Sequence, residues 1–339
     1  MKNFIIKLSI FVVVILLILI YTRRADTKEY SSIMGTAQGT TYYITFESGK
    51  YDIKKDDIDS VLSDFDMSLS VYKTNSIISR FNRNDSLAVA DEKFTAVFNK
   101  SYEVYKNTGG AFDITVAPVV NALGFGPGDA VSFDSTTIDS LAKFIGMDKV
   151  RLEGKRLVKT DPNVTLDVNA IAQGYSVDLV CAFLDSHNIR NYLVEIGGEV
   201  RANGRNPSNG KWRIGIDKPV ENATPGIDLQ AVAEIEDRSL ATSGNYRRFF
   251  EKDGIKYVHT INPVTGYPIL SSLLSATVVA KDCMTADAYA TAFMVMGLEK
   301  SMEFLKRNDF LEAYFIYSDS TGNFMVEMTE GMKKYMAGY

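Results

Sequence analysis

The sequence has few of the residues on which several common kinds of site depend. Its 339 residues include two histidines, His187 and His259, which are too few for a histidine-rich metal site. The two cysteines, Cys181 and Cys283, lie far apart in apolar stretches. We interpret them as small buried side chains rather than as a disulfide or a catalytic thiol.

Basic residues and phosphate-binding glycine motifs are also lacking. Lys and Arg total 37 against 42 for Asp and Glu, so the net charge is -5 and a nucleic-acid-binding protein is disfavoured. The glycines of "GFGPGD" (124–129) do not have the G-x-G-x-x-G spacing, and no G-x-x-x-x-G-K-[ST] motif is present. With 46% hydrophobic and 23% charged residues and no internal repeat, the composition is that of an ordinary globular protein.

The N-terminus carries the one long hydrophobic run of the sequence. Lys2 and Lys7 are followed by the apolar stretch 8–21, and then by Arg23 and Arg24. This pattern is typical of an export signal, but no small-x-small cleavage site or lipid-accepting cysteine follows it. We therefore expect residues 1–22 to be a signal peptide or, if uncleaved, a membrane anchor. The rest of the chain would lie on the periplasmic side of the inner membrane or be exported to the periplasm.

The remainder reads as one α+β domain with mixed sheets and flanking helices, because predicted helices and strands each occur in clusters. We expect a polar linker at 23–33, a catalytic domain at 34–330 and a tail at 331–339. Apolar spacing predicts helices within 56–70, 92–108, 137–146, 170–187, 284–297 and 299–307. Strands are predicted at 39–46, 149–152, 156–159, 191–196, 211–217, 230–236, 256–261, 274–281, 312–318 and 323–328.

The stretch "CMTADAYATAFMVMG" (283–297) is apolar on all sides, which predicts a buried helix. It nevertheless carries Asp287 and Thr291, four residues apart and hence on one face. Two explanations remain open. Asp287 lies in the first turn, capped by Thr285, and complements the helix dipole. Alternatively, the two side-chain oxygens hold a hard cation such as Mg²⁺ together with a backbone carbonyl.

Two further stretches contain candidate site residues. In "LDVNAIAQGYSVD" (166–178), Asp167 or Asn169 can cap the following helix, whose N-terminus can equally bind a phosphate. The small residues there, Ala170, Ala172 and Gly174, would allow a ligand to approach the backbone. The "IGGE" segment (196–199) is either a tight turn or a ligand contact. His259 ends a predicted strand beside a turn, where a structural and a catalytic role are both open.

Eight motifs in order give the chain a resemblance to the ApbE-type FAD:protein FMN transferases over residues 34–330. They are "MGT" (34–36), "SVYKTNSIISRFN" (70–82), "GGAFDITVAP" (109–118), "LDVNAIAQGY" (166–175), "EIGGEVRANG" (195–204), "TSGNYRRF" (242–249), "HTINPVTGYP" (259–268) and "TADAYATAFMVMG" (285–297). The resemblance implies that FAD is a substrate and that its FMN half passes, with Mg²⁺, to a Thr or Ser hydroxyl of a partner protein, releasing AMP. It implies as acceptor a flavoprotein subunit of a membrane redox complex.

The same resemblance implies the site residues. The FAD site would be lined by Met34, Tyr72, Ala111, Phe112, Asp113, Asp167, Gln173, Ile261 and Ala290. Metal ligands would be the backbone carbonyl of Ala170 and the side chains of Asp287 and Thr291. Gln173 stands where many relatives have Lys, and Asn262 where many have Asp, so one charged phosphate contact is absent while the turn chemistry is kept.

His259 is the candidate general base for the acceptor hydroxyl, because an unperturbed imidazole titrates near neutral pH. Two alternatives use many of the same residues. One is a hydrolase that cleaves the FAD pyrophosphate with water to give FMN and AMP. The other is a non-catalytic extracytoplasmic FAD-binding protein, which would not need Asp287 and Thr291 as metal ligands.

Overall fold

A computed structural model describes residues 29–48, 52–127, 134–220, 223–224, 226–245, 249–252, 255–258, 260–269 and 271–338. The predicted export signal at 1–22 lies outside these residues. Within the ranges just given, no helix is both long enough and apolar enough to cross a membrane.

A central eight-stranded sheet organises the chain. Its strands lie side by side in the same order in which they occur along the chain. Its strands are β1 (Tyr30–Ala37), β2 (Thr40–Glu47), β5 (Tyr192–Ile196), β6 (Glu199–Asn203), β9 (Arg238–Gly244), β12 (Leu273–Ala280), β13 (Glu312–Ser318) and β14 (Phe324–Met328). Neighbouring strands in this sheet pair antiparallel. Three two-stranded ribbons accompany it, formed by β3 (Val150–Glu153) with β4 (Arg156–Lys159), β7 (Trp212–Asp217) with β8 (Leu229–Ile235), and β10 (Phe249–Lys252) with β11 (Ile255–Val258).

The helices of the described part are α1 (Lys55–Leu69), α2 (Ile77–Asn82), α3 (Glu92–Asn107), α4 (Ala117–Ala122), α5 (Ser135–Ala142), α6 (Asn169–Ser186), α7 (Cys283–Met296) and α8 (Leu298–Leu305). Short 3₁₀ helices occur at Ile114–Val116, Met147–Lys149 and Glu330–Tyr335. The α+β class predicted from the sequence is confirmed.

The two faces of the sheet bury different partners, as the alternation of side chains along a strand requires. Ala241, Val278 and Phe315 belong to the core shared with α6 and α7. Their neighbours along the same strands, Leu240 and Val279, belong to the core that contains residues of the β7–β8 ribbon. The helices α6 and α7 therefore cover one face, and the ribbon covers the other.

Helix α7 is buried on all sides, as its sequence predicted. Its aromatic side chains join a cluster in which the ring centroids of Tyr289 and Phe304 are 5.6 Å apart and those of Phe293 and Phe315 are 5.9 Å apart. The Tyr289 hydroxyl accepts a hydrogen bond from Asn107 at 3.0 Å, which satisfies the polar end of a buried ring. The helix is thus fixed to the core over its whole length.

Helix starts differ from the sequence expectation at two places. Asp282, not Thr285, caps α7, because its carboxylate accepts the backbone N–H of Thr285 at 2.9 Å. Neither Asp167 nor Asn169 caps α6, which begins after Val168 without a side-chain cap. Asp167 instead accepts the N–H of Asn169 at 2.7 Å, just before the helix.

Four stretches of polar or small residues proved to be structured. Strand β1 begins at Tyr30, inside the expected linker 23–33, because the half-exposed sheet edge accommodates Ser and Thr. Strands β6 and β9 were not predicted, since "EVRAN" is short with only two apolar residues and "RSLATSG" lacks a clear apolar alternation. In the expected tail 331–339, Met332 and Met336 are buried against the β7–β8 face of the sheet.

Candidate active site

Helices α6 and α7 approach each other closely at Gly174. A Cβ atom on this residue would lie 2.4 Å from the carbonyl oxygen of Cys283 and 2.7 Å from the Cβ of Asp287. Only glycine fits this contact without moving the backbone of α7. The small residue therefore serves helix packing here, rather than the approach of a ligand that the sequence suggested.

Asp287 lies at this crossing, and its surroundings decide between the two explanations of its role. It is the fifth residue of α7, beyond the first turn, so a contribution to the helix dipole does not explain it. Its Oδ2 accepts the backbone N–H of Gly174 at 2.9 Å. In an α-helix this N–H faces the carbonyl of Ala170, four residues earlier. The Asp287 carboxylate and the Ala170 carbonyl are thereby brought to the same N–H group.

Burial dominates the electrostatics of Asp287. Loss of hydration raises its pKa to about 7, the hydrogen bond from Gly174 opposes that rise, and the charge of Asp178 adds to it. A carboxylate in this position favours any group that supplies positive charge. Thr291, one turn further along the same face of α7, has its Oγ1 2.9 Å from the Oγ of Ser243 on β9. The candidate ligands thus lie where α6, α7 and β9 meet.

Glu199, which the sequence analysis included only as the last residue of the "IGGE" segment, adds a second carboxyl group to this region. It is the first residue of β6, directly after the Gly197–Gly198 turn, in which both glycines have positive φ (64° and 110°). Its side chain is only 9% exposed, and its Oε2 is buried with no hydrogen-bond partner. Burial and then the charge of Asp287 raise the pKa of Glu199 well above its usual range. The sequence signal was a glutamate standing between a glycine turn and an apolar strand.

Gln173 connects α6 to that turn. Its Nε2 donates to the carbonyl of Ile196 at 3.1 Å, and a Cβ on Gly197 would lie 1.7 Å from this nitrogen. On the same side of α6, Ser176 Oγ is 3.2 Å from Gln38 Oε1, in the turn between β1 and β2. Two sheet turns therefore meet the first half of α6. The amide of Gln173 is therefore used to hold the turn after β5.

Asp167 lines a cavity of about 170 Å³. The other residues around it are Val71, Ser79, Asn82, Arg83, Ala117, Asn121, Pro127, Thr165 and Leu166. Burial raises the pKa of Asp167, and the Oδ1 of Asn121 is buried there without a partner. The cavity therefore has polar groups available to a ligand immediately before the start of α6.

Asp113 is buried but fully engaged within the protein. Its carboxylate accepts hydrogen bonds from the N–H of Thr115 at 2.7 Å, from the hydroxyl of Thr115 at 2.5 Å and from the N–H of Met147 at 3.1 Å. Burial raises its pKa and these three bonds oppose the rise. Asp113 thus organises the loop that contains Ala111 and Phe112, both of which are buried.

The other predicted FAD-lining residues fall into two groups. Met34 and Tyr72 are 66% and 61% exposed and are available to solvent or a ligand. Ile261 and Ala290 are buried in apolar clusters. His259 lies outside the described residues. Beside it, Asn262 keeps the expected turn, because its Oδ1 accepts the N–H of Val264 at 3.0 Å.

The donor set at the α6–α7 crossing fits Mg²⁺. In the residues that the structure describes, no three His, Cys, Asp or Glu side chains are grouped to hold a metal ion. The crossing instead offers a carboxylate, a hydroxyl and a backbone carbonyl, which are the oxygen ligands Mg²⁺ prefers while it retains water or phosphate oxygens. The unpartnered Oε2 of Glu199 adds a buried negative charge that calls for a positive counterpart.

Comparison with known proteins agrees with this architecture. The family model described as "ApbE family" matches residues 34–315. The FAD:protein FMN transferase of Vibrio cholerae is 39% identical over 293 residues, covering 83% of this chain and 85% of that protein. The FAD:protein FMN transferase of Haemophilus influenzae is 36% identical over 318 residues, covering 89% and 90%.

Solved structures give the same result. The flavin transferase ApbE from Vibrio cholerae superposes with a TM-score of 0.82 at 34% identity, over 91% of this chain and 99% of that one. The flavinyl transferase ApbE of Pseudomonas stutzeri, in its apo form, gives a TM-score of 0.80 at 29% identity, over 92% and 98%. The family model, the sequence relatives and the fold lead to one conclusion: this chain belongs to the ApbE family.

Proposed function

We propose that this protein is an Mg²⁺-dependent FAD:protein FMN transferase, which moves FMN from FAD to a Thr or Ser hydroxyl of an acceptor protein and releases AMP. The names of its relatives support flavin transfer to a protein. The observation that carries the metal dependence is the buried Asp287 carboxylate at the α6–α7 crossing, with the orphaned Glu199 oxygen beside it.

The reaction is a displacement at phosphorus. The acceptor oxygen forms a bond to the phosphorus of the FMN half, the bond from that phosphorus to the bridging oxygen breaks, and AMP leaves with that oxygen. Mg²⁺, held by Asp287, Thr291 and the Ala170 carbonyl, would neutralise charge on the pyrophosphate. The protein's other task is alignment, because the hydroxyl must lie opposite the leaving AMP. Rigid packing at Gly174 fixes the ligands for this purpose.

His259 is the proposed base that accepts the proton of the acceptor hydroxyl. Its position in "HTINPVTGYP" supports this role, as does the pKa near neutral of an unperturbed imidazole. We expect His259→Ala to bind FAD nearly as well as the parent. Its single-turnover transfer should be about a hundredfold to ten-thousandfold slower and should lose dependence on a group titrating near neutral pH. A parental transfer rate at saturating FAD would remove His259 from the mechanism.

A reconstitution separates this function from its two alternatives. The purified protein is mixed with FAD, Mg²⁺ and an acceptor flavoprotein subunit, and the acceptor is examined by mass spectrometry for covalent FMN while AMP is quantified. Transfer predicts one AMP per flavinylated Thr or Ser, and loss of both products when Mg²⁺ is chelated. AMP and free FMN without a modified acceptor would indicate a hydrolase. Unchanged FAD would indicate a binding protein.

We further propose that the catalytic body acts on the periplasmic side of the inner membrane, on a subunit of a membrane redox complex. The basic start and the apolar run 8–21 support this location. Fractionation of cells that express the full chain should recover it with the inner membrane or the periplasm. Recovery of the native protein in the cytoplasmic fraction would contradict the proposal.

A further inference from the structure

Glu199 is a buried side chain that the mechanism above does not use. It is nine-tenths buried, and its Oε2 has no hydrogen-bond partner. A carboxylate oxygen removed from water without a partner is costly, so its retention requires an explanation. Two explanations are available: a structural contact made by the glutamate, or a ligand that is held there when the protein works.

In the part of the chain that the structure describes, no cationic side chain provides the missing partner. Arg201 is two residues further along β6 and so is on the same face as Glu199. Its guanidinium donates instead to Asp178 at 2.7 Å. Asp178 in turn accepts the N–H groups of Cys283 and Met284 at the start of α7, at 3.0 and 2.8 Å. Arg201 is therefore paired with the aspartate that binds the start of α7. The described part of the chain shows no ion pair to Glu199.

The placement of β6 directs Glu199 to the α6–α7 crossing. The thiol of Cys283 is 3.6 Å from the carbonyl oxygen of Val200, the residue after Glu199. Asp287 follows Cys283 by about one helical turn. Val200 belongs to the core on the β7–β8 side of the sheet, so Glu199, the residue before it on β6, lies on the face that α6 and α7 cover. Two buried carboxyl groups, those of Glu199 and Asp287, are therefore on the helix side of the sheet.

We propose that Glu199 is a positioning residue of the cation site, whose carboxylate supplies a second negative charge beside Asp287 and orients the water that a hydrated divalent cation retains. This inference rests on the Mg²⁺ dependence within the proposed function. A hydrated Mg²⁺ needs hydrogen-bond acceptors around it as well as direct ligands. The unpartnered Oε2 provides such an acceptor, on the first residue after the Gly197–Gly198 turn.

The test measures cation binding rather than turnover. Glu199→Gln keeps the size of the side chain and removes its charge, and free Mn²⁺ is counted by its electron paramagnetic resonance signal in titrations with and without FAD. We expect the variant to bind Mn²⁺ about tenfold or more weakly, as is usual when an outer partner of a metal ligand is lost. The control is Glu195→Gln on β5, just before the same turn, since Glu195 already accepts the N–H of Gly198 at 2.7 Å. It should change the affinity much less.

Thermal unfolding distinguishes a structural role. Replacing an unpartnered buried carboxyl group by an amide should leave the metal-free Glu199→Gln protein about as stable as the parent or more stable, while the stabilisation that Mn²⁺ confers shrinks. If Glu199 is merely structural, Glu199→Gln should lower the thermal unfolding midpoint equally with and without Mn²⁺. That result would overturn the inference. Equal Mn²⁺ affinity in parent and variant would overturn the role of Glu199 but leave the proposed Mg²⁺ dependence unaffected. No Mn²⁺ binding by the parent would overturn it together with the Mg²⁺ dependence.

Discussion

Asp113 and Glu199 are buried to nearly the same extent, 7% and 9% exposed, yet their oxygens have opposite surroundings. Asp113 accepts three hydrogen bonds from two residues of its own chain. Among the described residues, the Oε2 of Glu199 accepts none, and Asp287 accepts one, from the backbone N–H of Gly174 on α6. Equal burial therefore conceals a difference: Asp113 has its hydrogen-bond donors within the protein, and one oxygen of Glu199 has none among the described residues.

The difference has an energetic meaning. A buried carboxylate with its donors in place stabilises a loop, because each hydrogen bond to the charge contributes about 1.5–3 kcal/mol. A buried carboxylate without them costs free energy until a cation or another ligand arrives. Substitutions of the two kinds of carboxylate should therefore differ in whether they affect activity or stability. The following four predictions run from the largest expected effect to the smallest.

Asp287→Ala should abolish most of the activity while leaving the fold. We expect FMN transfer to fall by at least about a hundredfold, because under the proposed function Asp287 would hold the ion that neutralises charge on the pyrophosphate. The core of α7 around Tyr289 and Phe293 is untouched, so the thermal midpoint should change little. Single-turnover transfer and thermal unfolding measured on the same sample check both parts. Full activity at ordinary Mg²⁺ concentration would refute the assignment.

Asp113→Ala should do the reverse. Loss of the carboxylate leaves the N–H groups of Thr115 and Met147 without their acceptor, at about 1–3 kcal/mol for each buried group. The free energy of unfolding, measured by chemical denaturation, should therefore drop by several kcal/mol, with a smaller effect on the transfer rate at saturating FAD. A stable variant with lost FAD affinity would instead assign Asp113 to direct ligand contact.

Gly174→Ala should disturb both properties moderately. The added methyl group meets backbone of α7 at 2.4 Å, so the helices must separate, which costs about 1–3 kcal/mol. Transfer should also slow, since Asp287 moves with α7. Gly210→Ala is the matched control, because its nearest neighbours would be 3.5 Å away. Equal stabilities of the two variants in denaturant would argue against a tight crossing.

Asn262→Asp should change almost nothing. The Asn262 Oδ1 already accepts the N–H of Val264, and a carboxylate oxygen can accept the same bond. Because the N–H of Val264 remains bonded, the substitution should shift the unfolding free energy by about 0.5 kcal/mol or less. FAD affinity, measured by fluorescence quenching, should stay at the parental value. A large change in FAD affinity would show that a charge at this turn affects substrate binding, and a large change in unfolding free energy would show that it affects the fold.

The sequence predicted those parts of the molecule that depend on periodicity. Asp287 and Thr291 share a face because four residues make about one helical turn, and the apolar surroundings of α7 correctly indicated its burial. By contrast, β9 was missed, because its Ser239 and Thr242 are polar although the strand is central to the sheet. A hydroxyl is acceptable there when it finds a partner, as Thr242 does with Thr277 at 2.8 Å.

Contacts between distant segments could not be predicted in the same way. The hydrogen bond from Gly174 to Asp287 joins residues 113 positions apart, and nothing in either local pattern specifies it. Glu199 was passed over for the same reason, since its significance depends on the helix that packs above it. The resemblance to the family supplied the candidate ligands Ala170, Asp287 and Thr291, and the structure supplied their surroundings.

The complete burial of α7 has a consequence for how the protein moves. Amide protons in a helix enclosed by core exchange with solvent only when the whole domain opens, whereas loop amides exchange through local fluctuations. The backbone around Asp287 should therefore be among the slowest to take up deuterium, with or without substrate. Protection gained on FAD binding should appear instead in the turn at Gly197–Gly198 and in the exposed segment around Tyr72. The ion-holding half of the site would then be rigid before substrate arrives, and the ordering that accompanies binding would be confined to the surface that receives the flavin.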